Sequence, residues 1–146
     1  GAKATVTELG VTGGASFQSL LKEEIEVKSS ALASSDINLE DGMMHIFTAQ
    51  NSSAGTINFR YNASTTLDSR MSAGETCAVT IVSSTGASGF VSAVNIDGTA
   101  ATVNWSGAEA PEEGGETGFD VITMQLIKTA DGWTVLAAVN NFAPAA

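Results

Sequence analysis

Apolar residues recur at every second position along most of this chain, and that rhythm is the signature of strands buried on one face. In Thr56-Ile57-Asn58-Phe59-Arg60-Tyr61, the side chains of Ile57, Phe59 and Tyr61 share one face, and Asn58 and Arg60 take the other. The same alternation aligns Cys77, Val79 and Ile81; Phe90, Val94 and Ile96; Val103 and Trp105; Ile122, Met124 and Leu126; and Trp133, Val135, Ala137 and Val139. Residues 43–50 and 24–28 are further candidates, which makes about eight to ten strands at the spacing of a sandwich or jelly roll.

Asp97-Gly98 and Asp131-Gly132 each lie between two alternating runs. Asp-Gly supplies the positive φ angles of a tight type I′ hairpin. The turns predict pairing of 90–96 with 99–105, and of 121–129 with 133–140. Asp41-Gly42 predicts a third turn, leading from Ile37-Asn38-Leu39 into 43–50. Helix signals are thin. Ser16 is a candidate cap, but β-favouring Ile25 and Val27 follow soon after, and 64–71 has room for one or two turns. The predicted fold is all-β: an antiparallel, jelly-roll-like β-sandwich over residues 16–146, preceded by an extended N-terminal arm, residues 1–15. Its predicted core holds Phe59, Val79, Ile81, Val94, Ile96, Trp105, Ile122, Met124, Trp133 and Val135.

Charge narrows the function. Sixteen acidic residues against six basic ones give a net charge of −10. Binding to nucleic acid or to anionic membranes calls for a Lys/Arg-rich face, so both classes are set aside. Polarity comes instead from small side chains, since Ala, Gly, Ser and Thr make up 69 of the 146 residues. There is no apolar run of about 20 residues for a membrane span. The first residues, Gly1-Ala2-Lys3-Ala4-Thr5-Val6, lack the apolar stretch of a secretion leader. The single cysteine, Cys77, has no disulfide partner in the chain and reads as a buried thiol.

No residue pattern points to catalysis. His45 is the only histidine, and it reads as a structural residue on a strand. A zinc site commonly uses several His or Cys ligands, and a Ser-His-Asp triad would have to use His45 without any Gly-x-Ser-x-Gly elbow. The glycine-rich stretches lack the Lys-Ser/Thr of a phosphate loop. Glu112-Glu113, with Glu109, Glu116 and Asp120 near them, offer oxygen ligands of the kind calcium takes, but their irregular spacing favours a solvated charged loop over 109–116. The sequons at Asn51, Asn62 and Asn104 are no more than so Ser/Thr-rich a chain produces by chance. Tyr61, Trp105 and Trp133 read as core rather than as a sugar-stacking platform. The expectation is therefore no enzyme, no catalytic residue, no cofactor and no metal.

Several separate blocks do carry a likeness. They are Gly42-Met43-Met44-His45-Ile46-Phe47-Thr48, Asn58-Phe59-Arg60-Tyr61-Asn62 and Thr66-Leu67-Asp68-Ser69-Arg70-Met71, followed by Ile96-Asp97-Gly98-Thr99, Val103-Asn104-Trp105-Ser106-Gly107, Ala110-Pro111 and Asn140-Asn141-Phe142-Ala143. In order and spacing, residues 42–143 resemble a domain of structural proteins of marine tailed bacteriophages, cyanophages above all, often found at the C-terminal ends of fibre-like virion proteins. The resemblance implies a virion structural protein on the particle exterior, a head decoration or a subunit of a fibre-like appendage, assembled in the host cytoplasm. The implied partners are copies of itself, as a homo-oligomer such as a trimer, and other virion proteins such as the major capsid protein or tail components. The alternative is a receptor- or glycan-binding module of a tail fibre, which requires exposed aromatics in a shallow groove or a metal-supported acidic site. Independently of the resemblance, the Ala/Ser/Thr-rich faces suit close packing between subunits. The alternation in Thr5-Val6-Thr7-Glu8-Leu9 suits an arm that adds a strand to a neighbour's sheet.

Overall fold

The computed structural model describes residues 2–146. Among these residues, ten strands form two sheets around one core. In chain order they are β1 (Glu26–Lys28), β2 (Asp36–Asn38), β3 (Met44–Phe47), β4 (Gly55–Arg60), β5 (Thr76–Ser84), β6 (Val91–Ile96), β7 (Thr99–Ala100), β8 (Val103–Trp105), β9 (Phe119–Thr129) and β10 (Gly132–Phe142). The larger sheet has six strands in the order β1-β3-β5-β9-β10-β8, and the smaller has four in the order β2-β4-β6-β7.

The first six strands alternate strictly between the sheets, so the chain winds through three coils. Each strand therefore lies parallel to the one two places earlier: β1, β3 and β5 in one sheet, β2, β4 and β6 in the other. Antiparallel pairing enters only afterwards, at β5–β9, β9–β10 and β6–β7, and β8 returns to lie parallel to β10. Three one-turn 3-10 helices, Leu39–Asp41, Asp68–Arg70 and Ser106–Ala108, add about 6% helix.

This overturns the predicted all-β, antiparallel, jelly-roll-like sandwich: both sheets mix parallel and antiparallel strands. The cause is physical. Half-buried alternation normally marks antiparallel strands, because parallel ones are usually covered on both faces by crossover helices. Here the crossover between parallel neighbours is a strand of the opposite sheet, which leaves the outer faces open. Asp41-Gly42 accordingly leads from one sheet into the other. Thr99–Ala100 pairs with β6 as predicted, but Val103–Trp105 crosses to the larger sheet. The β9–β10 hairpin forms with Ala130 and Asp131 as its two-residue loop. Of the three Asp-Gly pairs, only Asp97 (φ 51°) and Gly98 (φ 79°) both adopt the positive angles of a type I′ turn.

The core draws Ile37, Ile57, Phe59, Val94 and Ile96 from the small sheet, and Phe47, Val79, Ile81, Ile122, Met124, Leu126 and Val135 from the large one. Trp105 and Trp133 are half-buried and pack against this cluster from its margin. One inward position differs from the alternation. A bulge in β6, where Ser92 is the extra residue opposite Gly55 and Thr56, makes Val91, not Phe90, the buried residue ahead of Val94. An extra residue in one strand shifts everything before it to the opposite face.

The connections between coils stack like the strands. Residues 29–35, 48–54 and 85–90 lie layer on layer, with 109–118 closing the stack. Asn51, buried, sits in the middle: its N–H donates to the Ser84 carbonyl (3.0 Å), and its Oδ1 accepts the Ala33 N–H (3.0 Å). A Cβ on Gly86 or Gly89 would collide with the Asn51 carbonyl, and one on Gly114 would meet the carbonyls of Gly86 and Gly89. Glycine is needed there because backbone must approach backbone.

Candidate interaction surface

The two sheets turn very different outer faces to solvent. On the small sheet, side chains tie neighbouring coils together. Asn58 Nδ2 donates to Asp36 Oδ1 (2.8 Å), Arg60 Nε to Asn38 Oδ1 (2.8 Å) and Asn62 Nδ2 to Glu40 Oε2 (2.9 Å), while Arg60 also pairs with Asp36 (3.0 Å). Gly98 N–H donates to Asn58 Oδ1 and extends this polar ladder to the β6–β7 turn. Asp97 closes its end, accepting the Leu67 N–H (2.7 Å) and the Asp68 N–H (2.9 Å) at the start of a 3-10 turn.

The six-stranded sheet is the opposite. Every second residue along its strands points outward, and none of those residues is charged. Val27, Ile46, Val82 and Val121 stand side by side across four strands, and Asn140 continues the row. Phe119 pairs with Phe142 at one end, and both are exposed. Towards β8 the face dips into an open hollow of about 490 Å³, lined by Thr123, Gln125, Leu136, Ala138, Asn104 and Trp105 among others.

Ahead of β1, residues 2–25 carry no strand or helix and are exposed throughout, so the arm runs to residue 25 rather than ending at 15. Their large apolar side chains stay in water: Phe17 is 66% exposed, Leu20 80% and Leu21 69%, and Val6, Leu9 and Val11 are exposed as well. The segment is nearly neutral, with Lys3 and Lys22 against Glu8, Glu23 and Glu24.

The residues singled out for chemistry do not come together. His45 is fully buried on β3; its Nε2–H donates to the Gly42 carbonyl (2.9 Å), and its Nδ1 has no partner among the described residues. Burial, above all, lowers its pKa from the ordinary histidine value; Lys28 pushes the same way, and the Gly42 bond, Glu26 and Asp41 oppose. Cys77 is half-buried, its Sγ 3.8 Å from Met71 Sδ, and burial pushes its thiol pKa up. A raised pKa leaves less of the reactive thiolate.

The acidic loop is more ordered than its composition predicts. Gly114 N–H donates to the Ala87 carbonyl (2.9 Å), and Gly115 N–H to the buried Asp120 carboxylate (2.9 Å). Asn141 Nδ2 bridges to Asp120 Oδ1 (3.0 Å) and the Thr117 carbonyl (3.0 Å). The charges of Glu109, Glu112, Glu113 and Glu116 point into water around this anchored strap. Among the described residues, no three His, Cys, Asp or Glu side chains converge as metal ligands. Trp105 and Trp133 line separate hollows, one beside Pro111 and Asn140 and the other beside Thr99 and Ala101. Among the described residues, no helix is long and apolar enough to cross a membrane.

Comparison with protein families, with curated proteins and with solved structures returns no match to this chain. The likeness to phage structural domains therefore rests on the residue blocks alone. Sequence reasoning did not locate the uncharged face: its residues sit between core residues in every strand, and only the pairing register sets them side by side.

Proposed function

We propose that this chain is a non-catalytic structural subunit of the exterior of a bacteriophage particle, assembling with copies of itself and with other virion proteins. One observation carries the assembly part: the arm, residues 2–25, leaves Phe17, Leu20 and Leu21 uncovered by its own subunit, and the six-stranded sheet has an outer face that bears no charge. A chain carrying −10 repels its copies wherever its acidic loops meet, so close packing between subunits favours surfaces free of charge. The phage setting is supported by the seven residue blocks between Gly42 and Ala143. A glycan-binding tip, the competing role, requires aromatics grouped in one cleft. The separation and half-burial of Trp105 and Trp133 favour the scaffold instead.

The test is made on particles and on the purified chain. Antibodies against residues 109–116 should decorate the outside of intact virions, and deletion of the gene should remove that label together with a defined feature in particle images. Sedimentation of the full chain should show an oligomer, a trimer by this reading. Unlabelled particles that are unchanged by the deletion would refute the virion assignment.

A further inference from the structure

We infer that the arm of one copy docks on the outer face of the six-stranded sheet of a second copy, with its Phe17-Leu20-Leu21 cluster seated in the hollow around Thr123 and Leu136. The inference rests on the assembly reading above and names its surface. In the single chain the arm leaves its own body with these three side chains in water. Burying one such side chain stabilises by about 1.5–3 kcal/mol, so cover supplied by another subunit is favoured.

Charge selects where that cover lies. The small sheet's face carries Asp36, Glu40 and Arg60 in a hydrogen-bonded ladder, which an apolar segment would have to strip of water. The large sheet's face has no outward charge, and its hollow is lined by Thr, Gln, Leu, Ala, Asn and Trp side chains.

Size is consistent. At about 3.3 Å per residue and 4.8 Å between strands, the strand residues of the large sheet cover roughly 650 Å². A standard interface buries about 800 Å² on each partner, so the face supplies most of one side. An extended arm of this length reaches roughly 80 Å, more than twice the roughly 36 Å length of β9 or β10. Arm-to-face contact joins two different patches, and such heterologous contacts form a ring where the rotation between copies closes and an open filament where it does not.

Full-length chains in a Cys77→Ala background test this. One chain carries Leu20→Cys, the other, distinguished by a tag, carries Thr123→Cys, and the two are mixed and oxidised. A mixed disulfide between the two chains is the expected result, with none when Thr123→Cys is replaced by Ser52→Cys at the far loops. Separately, Thr123→Glu with Leu136→Glu places like charge on two exposed positions. It should raise the dissociation constant of the oligomer by about 100-fold or more while circular dichroism and melting stay unchanged. If the oligomer persists at unchanged affinity and the mixed disulfide is absent, the arm docks elsewhere: this inference fails and the assembly reading stands. Equal cross-linking at Ser52→Cys, or a disulfide only when both cysteines sit in one chain, also overturns it. A wild-type chain that is monomeric at every concentration overturns docking on a second copy, and particles without label would then remove the assembly reading too.

Discussion

Asp97 lets two contributions to one turn be separated. It sits at φ 51°, a conformation costing most L-residues about 1–2 kcal/mol but tolerated by Asp and Asn. Its carboxylate also accepts two backbone N–H groups, from Leu67 and Asp68. That is the role of a helix N-cap, and losing one costs about 0.5–2 kcal/mol. Asp97→Gly removes the two bonds and keeps the backbone free, so it should cost about 1–2 kcal/mol. Asp97→Ala loses the bonds and adds the backbone strain, for about 2–3 kcal/mol. Asp97→Asn keeps one carbonyl acceptor and the tolerance for positive φ, and should cost about 1 kcal/mol. Urea titration reads these differences as shifts of the midpoint at constant slope. In a thermal scan, each kcal/mol should lower the midpoint by about 2–4 °C for a chain of this size. If Asp97→Gly falls as far as Asp97→Ala, the backbone argument is wrong. If Asp97→Ala stays within about 0.5 kcal/mol of the wild type, neither contribution exists.

Other outcomes follow from the same geometry. Gly89→Ala forces a Cβ into the Asn51 carbonyl and should cost about 1–3 kcal/mol or prevent folding, whereas Gly13→Ala, with nothing within 4 Å, should melt like the wild type; equal melting of both would refute the layered stack. Phe59→Ala empties a fully buried site and should cost about 3–5 kcal/mol by urea titration, and a near-neutral result would place the core elsewhere. Because burial lowers the folded-state pKa of His45, the unfolded chain takes up this proton first. The contribution is intact above about pH 6.5 and is lost as pH falls from there towards the folded pKa, with a slope of up to about 1.4 kcal/mol per pH unit from this one group. His45→Gln should flatten that part of the stability–pH curve, and an unchanged curve would mean that His45 is not held neutral. Asp120→Ala should free the Gly115 N–H and Asn141 from their anchor and speed proteolysis within 109–118; unchanged cleavage would show that the strap is held by other contacts.

Strand formation was decided locally. Ile57 and Phe59, or Ile122, Met124 and Leu126, face inward because period two matches the pleat, and their neighbours face outward for the same reason. The Asp97-Gly98 turn was equally legible, since few residue pairs tolerate two positive φ angles in succession. Strand direction was not. The alternation pointed to antiparallel strands, and only the coiling of β1 to β6 between two sheets, each with an open outer face, makes their half-buried neighbours parallel. The exchange of Phe90 for Val91 depended on the extra residue Ser92 in β6, whose place is set by the pairing with Gly55 and Thr56 of β4. Gly86, Gly89 and Gly114 were recognisable as loop residues, but their need for close backbone approach arises from layers far apart in the chain. The uncharged face is the clearest case. Val27, Ile46, Val82 and Val121 lie on four separate strands, and hydrogen-bonding register alone makes them neighbours, because a sheet is assembled from contacts that sequence distance does not encode.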